Sequence, residues 1–165
     1  MPLNILIVCM GNICRSPMAE EVVRVAFARA GLGGSIRVDS AGTLGSHAGE
    51  QPDDRAIQTA AARGYDLSRL RARRVTSEDF SRFDLILAMD ADNLATLKRR
   101  CPPEHQAKLA LFLDQARSDC AEVPDPYYGN LAGFQRVLEL CELGAAGLVR
   151  AVREGLIAAQ GSPNP

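Results

Sequence analysis

The 165-residue chain has no C-x-x-C pair, only two histidines, a net charge of −1 and no apolar run near the roughly 18 residues a membrane-spanning helix needs. The near-zero charge gives no global field for nucleic acid or an anionic membrane, so neither is expected as a partner. His47 and His105 stand far apart and near no cysteine, which argues against a metal site, and no cofactor is expected. Cys9, Cys14, Cys101, Cys120 and Cys141 are odd in number and scattered, unlike the disulfide framework of a small secreted domain. The start, Met1-Pro2-Leu3-Asn4, lacks the basic residues and long apolar core of a signal peptide, so a cytoplasmic protein is expected. What is present is ordinary: 47% hydrophobic and 24% charged residues, as in a soluble globular protein. The length suits a single domain over 1–165, with 162–165 a frayed tail.

Strand and helix signals alternate. Leu3 to Val8, apolar except for Asn4, reads as a strand covered on both faces. Ser16 and Pro17 read as the cap and first residue of a helix from Met18 to Ala30, closed by Gly31. Ile36 to Val38 reads as a second strand ending at Asp39-Ser40, followed by a Gly-, Ser- and Thr-rich loop over 41–52. A short helix from Pro52-Asp53-Asp54 to Ala62, a polar connection from Tyr65 to Arg74 and a helical turn capped within Thr76 to Asp79 come next. A strand from Asp84 to Met89, a helix from Asp90 to Arg100 stopped by Cys101-Pro102-Pro103, and a strand from Lys108 to Leu113 follow. After an irregular stretch over 114–132, apolar residues from Phe134 to Leu156 repeat every three or four positions, marking a long helix weakened at Gly144 and Gly147. The order implies an α/β fold: a doubly wound, four-stranded parallel sheet with helices on both faces, binding ligands at the carboxyl ends of its strands.

At the carboxyl end of the first strand stands Cys9-Met10-Gly11-Asn12-Ile13-Cys14-Arg15-Ser16-Pro17. A glycine-bearing loop between a strand and a helix N-terminus is suited to a phosphate, because loop amides and the helix dipole favour an anion there. Residues Met10 to Arg15 are the predicted phosphate loop. Arg15 supplies a bidentate fork, and the same field is expected to lower the pKa of Cys9 and make it a nucleophilic thiolate. Ser16 is either a helix cap or a hydrogen-bond donor to that sulfur, and one hydroxyl can do both. A leaving oxygen needs a proton, and water then needs a base; Asp125 in Asp125-Pro126-Tyr127-Tyr128 is the candidate for both tasks.

These two motifs, with Val38-Asp39-Ser40-Ala41-Gly42 and Ala88-Met89-Asp90, resemble the low-molecular-weight protein tyrosine phosphatases over nearly the whole chain. The resemblance implies hydrolysis of phosphotyrosine or a similar aryl phosphate through a phosphocysteine. It implies Cys9 as nucleophile, Arg15 as phosphate clamp, Ser16 as sulfur donor and Asp125 as general acid. It also implies that Asn12 and Ser40 shape the loop and that Cys14 forms a reversible disulfide with Cys9. The expected partner is a phosphotyrosine protein or a small aryl phosphate, and the expected state a monomer or weak dimer.

The cleft wall is expected from Tyr127, Tyr128, Ser46 and His47. Two positions depart from the family. Ser46 stands where a Trp or Tyr is usual, so one aromatic wall is expected to be missing. Leu70, before Arg71-Ala72-Arg73, replaces a His that supports the Asn–Ser network, so the loop is expected to be held differently. Several positions keep simpler alternatives: Cys14 as packing, Asn12 as a left-handed turn residue, and Tyr127 and Tyr128 as packing. Arg69, Arg71, Arg73 and Arg74 read as a solvated basic stretch, or as a contact for an acidic partner. Cys101, Cys120 and Cys141 read as structural. Two other functions compete: an arsenate reductase of the same fold, disfavoured because this chain has no cysteine between Cys14 and Cys101, where the related reductases place their relay cysteines, and a non-catalytic phosphate-binding module, disfavoured by the intact Cys9, Arg15, Ser16 and Asp125 set.

Overall fold

In the computed structural model, which describes residues 1–158, four parallel strands form one sheet in the order β2-β1-β3-β4. They are β1 (Leu3–Cys9), β2 (Ile36–Gly42), β3 (Leu85–Ala88) and β4 (Leu109–Leu111). The helices are α1 (Arg15–Arg29), α2 (Asp54–Ala61), α3 (Asp79–Arg82), α4 (Ala91–Arg100) and α5 (Leu131–Arg153). The tail over 162–165 lies outside the described residues.

The central strand explains the layering. Successive side chains of β1 point to opposite faces. Leu3, Ile5 and Ile7 join a core with Val22, Val23 and Phe27 of α1, Ala56 and Ala60 of α2, and Phe134, Val137 and Leu138 of α5. Leu6 and Val8 join the opposite core with Phe80 of α3 and Leu97 of α4. The sheet is thus covered on both faces, and its strand order reverses beside β1, the place where ligands enter such sheets.

Several boundaries differ from the sequence reading. Strand β2 extends through Gly42, because its whole length pairs with β1, from Leu3↔Ile36 to Cys9↔Gly42. Strand β4 is only three residues long, with 3₁₀ turns on either side, Pro103–Lys108 and Phe112–Gln115. Ser16 is not the cap of α1; the helix already begins at Arg15, and no side chain caps it. Helices α2, α4 and α5 are capped by acids or an amide: Asp53 accepts from Arg55 N–H, Asp90 from Asn93 N–H and Asn130 from Gly133 N–H. Helix α5 starts at Leu131 and ends at Arg153, so Leu156 lies beyond it, 70% exposed.

Gly144 and Gly147 have a packing role in α5. A Cβ on Gly144 would collide with the Phe112 ring, and one on Gly147 with the Gln115 carbonyl. Both glycines let the 3₁₀ turn after β4 seat directly on the helix, which offsets their poor helix propensity.

Candidate active site

Cys9 is the last residue of β1 and is buried. The backbone then turns through Met10 to Cys14, with Asn12 in the left-handed region at φ 57°, a conformation asparagine tolerates better than most residues. The turn aims the Asn12 N–H at Cys9 Sγ, 3.3 Å away, and buries the Asn12 side chain behind the loop. There Asn12 Nδ2 donates to Ser16 Oγ (2.7 Å) and to Ser40 Oγ (3.0 Å), while Asn12 Oδ1 accepts from the Arg73 N–H at 3.0 Å.

These bonds have a direction. Each serine oxygen accepts from Asn12, so each hydroxyl proton is left for another partner. Ser40 donates to Glu20 Oε1 at 2.7 Å, and Ser16 Oγ sits 2.9 Å from Cys9 Sγ with its proton available to the sulfur. Glu20 therefore ends a chain that runs through Ser40, Asn12 and Ser16 to Cys9. Leu70 is half-buried and packs against the core, so the loop support comes from the Arg73 backbone and from Glu20.

Burial, then Asp39 and Glu21, push the Glu20 carboxyl up to about 7, against the opposing pull of Ser40 and Arg69. The folded protein thus holds a proton on Glu20 that the unfolded chain has released. That contribution to stability is full below the unfolded carboxylate range and disappears as pH rises towards the folded value. Between about pH 5 and about pH 8, wild type is expected to lose on the order of 1–3 kcal/mol relative to Glu20→Gln. Urea unfolding of both proteins across that range checks it; a constant difference would contradict the raised value.

Arg15 is buried at the first position of α1. Its Nη1 pairs with Asp90 Oδ2 at 2.5 Å and donates to the Val123 carbonyl at 3.1 Å. Burial alone would weaken the guanidinium charge, but Cys9, Asp90 and Asp125 outweigh it and raise the Arg15 pKa. Val123 is fully buried and its N–H bonds the Met89 carbonyl at the end of β3 (2.8 Å). This fixes the long loop two residues before Asp125, whose Oδ2 lies 3.8 Å from Arg15 Nη2. Asp125 Oδ1 accepts from the Tyr127 N–H at 3.0 Å, and the carboxylate is 38% exposed.

Together these groups line a cavity of about 180 Å³ formed by Cys9, Met10, Gly11, Ile13, Cys14, Arg15, His47, Asp125, Tyr127 and Tyr128. The cavity lies at the N-terminus of α1, where unpaired N–H groups and the helix dipole favour an anion. Tyr127 and Tyr128 meet edge to face at 4.9 Å, and Arg55 lies 5.6 Å from the Tyr127 ring centre. Ser46 does not line the cavity; His47 does, held by Glu50 at 2.7 Å. A Cβ on Gly11 would lie 3.3 Å from the His47 ring, so the imidazole packs beside Gly11 at the cavity wall.

Of the five cysteines, all free, only Cys9 and Cys14 line the cavity. Burial, with Asp53, Cys9 and Asp125, pushes the Cys14 thiol up to about 12, against Arg55. Among the described residues, no group of three or more His, Cys, Asp or Glu is placed to hold a metal, and no helix is long and apolar enough to cross a membrane.

The basic stretch is not uniformly solvated. Arg73 is half-buried and pairs with Asp39 (3.0 Å) and buried Asp79 (2.9 Å), while Arg69 reaches Glu21 at 3.4 Å. Arg71 donates to the Ser68 and Leu70 carbonyls; Arg74 is exposed. Sequence reasoning missed Glu20, Asp90 and Arg73 as supports of the loop. Asp90 carried a signal, its place at the carboxyl end of an apolar strand, but Glu20 looks like any acid on a helix.

The structure is thus an α/β protein whose sheet carries, at the carboxyl end of its central strand, a cavity lined by a buried thiol and a buried arginine. The sequence model described as "Low molecular weight phosphotyrosine protein phosphatase" matches residues 4–157. The chain is 44% identical to the low molecular weight protein-tyrosine-phosphatase of Streptomyces coelicolor, over 93% of this chain and 96% of that one. It is 39% identical to the low molecular weight phosphotyrosine protein phosphatase of Homo sapiens, over 84% and 88%. The crystal structure of a protein tyrosine phosphatase from Entamoeba histolytica superposes with a TM-score of 0.91 at 40% identity, covering 94% of this chain and 99% of that one. The chain belongs to the low molecular weight phosphotyrosine protein phosphatase family.

Proposed function

We propose that this phosphatase hydrolyses aryl phosphate monoesters, phosphotyrosine above all, in two steps through Cys9. The observation that carries the proposal is the convergence on one sulfur: the Asn12 N–H and the Ser16 hydroxyl touch Cys9 Sγ, while Arg15 and Asp125 face the same cavity. With Nη1 of Arg15 taken by Asp90 and Val123, Nε and Nη2 are left for two phosphate oxygens. The Cys9 thiolate attacks phosphorus as the ester P–O bond breaks, and protonated Asp125 gives its proton to the leaving phenol oxygen. In the second step Asp125, now a carboxylate, takes a proton from water. The water oxygen attacks phosphorus and the S–P bond breaks, with the Ser16 hydroxyl bonding the departing sulfur. Inorganic phosphate leaves.

A leaving-group series tests the role of Asp125. Asp125→Asn is expected to lower kcat by about 10²–10⁴ for phosphotyrosine. The loss should shrink for p-nitrophenyl phosphate, whose leaving group needs a proton less. Equal losses for both substrates would remove Asp125 as the acid.

Cys14 fits a protective role. If peroxide oxidises Cys9 to a sulfenic acid, the Cys14 sulfur can displace hydroxide from it, giving a disulfide and water once the Cys14 proton is included. The raised Cys14 thiol stays protonated between such events and does not compete for phosphate. A cytoplasmic setting suits both, since thiols stay reduced there.

A further inference from the structure

The cavity rim is uneven in charge. Arg55, beside Tyr127 at the cavity edge, is paired with Asp53. Two arginines beside the segment that directly follows β2 have no acid partner of this kind.

Thr43 N–H bonds the Cys9 carbonyl (2.9 Å) and Leu44 N–H bonds the Met10 carbonyl (3.0 Å), so this segment is fastened to the loop that carries the thiol. The approach is close enough to require glycine: a Cβ on Gly42 would stand 2.7 Å from the Met10 oxygen and 2.8 Å from the Leu44 oxygen. Met10 and Leu44 are each 46% exposed, and Met10 also lines the cavity. Two exposed arginines flank them. Arg100 Nη1 donates to the Thr43 carbonyl (2.8 Å), and the Arg74 stem lies 3.4–3.8 Å from where a Cβ on Gly45 would be. Among the described residues, no ion pair joins Arg74 or Arg100 to a carboxylate, as is also the case for Arg71, Arg99 and Arg150; what distinguishes the first two is their place on either side of Leu44, against Gly45 and Thr43.

We propose that Met10, Leu44, Arg74 and Arg100 form a shelf for the polypeptide flanking the phosphotyrosine, and that the shelf selects substrates with an acidic residue beside it. The proposal rests on the phosphotyrosine phosphatase reading above. The apolar pair covers the methylenes of a glutamate, and the two guanidiniums take its carboxylate. Because both cations are exposed, the preference is modest and salt-sensitive.

The test compares kcat/KM for phosphotyrosyl peptides alike except for Glu, Ala or Lys at positions flanking the phosphotyrosine. For wild type, the Glu-to-Lys ratio is expected to be about 3–10 at low ionic strength and to fall in high salt. The double charge reversal Arg74→Glu, Arg100→Glu should bring the ratio to one or below. Arg37→Glu makes one such reversal at the amino end of β2, at the opposite end of the sheet, and should leave the ratio unchanged. Hydrolysis of all peptides without charge preference, or a preference that survives the double reversal, would overturn the shelf. Failure of wild type to hydrolyse any peptide or p-nitrophenyl phosphate would overturn the phosphatase reading itself.

Discussion

Cys9→Ser is expected to lower turnover of p-nitrophenyl phosphate by at least about 10⁴-fold, leaving the fold and phosphate binding intact. The hydroxyl occupies the same buried place at the end of β1 and can keep both contacts, to the Asn12 N–H and to Ser16 Oγ. What changes is the nucleophile. A serine hydroxyl is scarcely ionised at neutral pH and has no base beside it: the nearest hydrogen-bonding groups are the Asn12 amide and the Ser16 hydroxyl, neither of which accepts a proton readily. Steady-state kinetics together with inorganic phosphate titration would check both parts. Full activity in the variant would remove the covalent route.

Arg15→Lys is expected to lower kcat/KM by about 10³ and to weaken competitive inhibition by phosphate. The guanidinium does two things at once: Nη1 holds Asp90 and the Val123 carbonyl, and its remaining edge faces the cavity. A lysine ammonium is a point charge on a flexible stem. It can keep the Asp90 pair or turn to the phosphate, and it offers no planar fork to two oxygens. Asp90 would retain a cation, so unfolding midpoints should change much less than activity. A variant with wild-type kcat/KM would show that charge alone suffices there.

The part of the site that comes from one stretch of chain is legible in the sequence. Cys9, Arg15 and the helix that follows lie within a single strand–loop–helix unit, and their spacing carries their chemistry. Asp125 is also within reach, because a parallel sheet brings the carboxyl ends of its strands to one edge. The sheet and its covering helices follow from alternating patterns, as the two cores on either side of β1 show.

The supports are less legible. Glu20 reaches Ser40 from one turn into α1, and Arg73 meets Asn12 through a backbone N–H, which no side-chain pattern announces. The half-buried pairing of Arg73 with Asp39 and Asp79 turns what reads as a solvated basic run into a brace between β2, the connection and α3. His47 and Ser46 are neighbours, and which of them faces the cavity depends on loop torsions. Gly144 and Gly147 read as helix weakness because the rings and carbonyls they admit come from the distant 3₁₀ turn at Phe112–Gln115.

All of this converges on one covalent event at the end of β1. The most direct measurement is rapid-quench trapping of the enzyme during turnover of p-nitrophenyl phosphate, followed by peptide mass mapping in acid. The expected result is one phosphoryl group on the peptide carrying Cys9, formed within the first turnover and absent from Cys9→Ser. Turnover with no phosphoryl group on Cys9, or with the group on another residue, would contradict the mechanism.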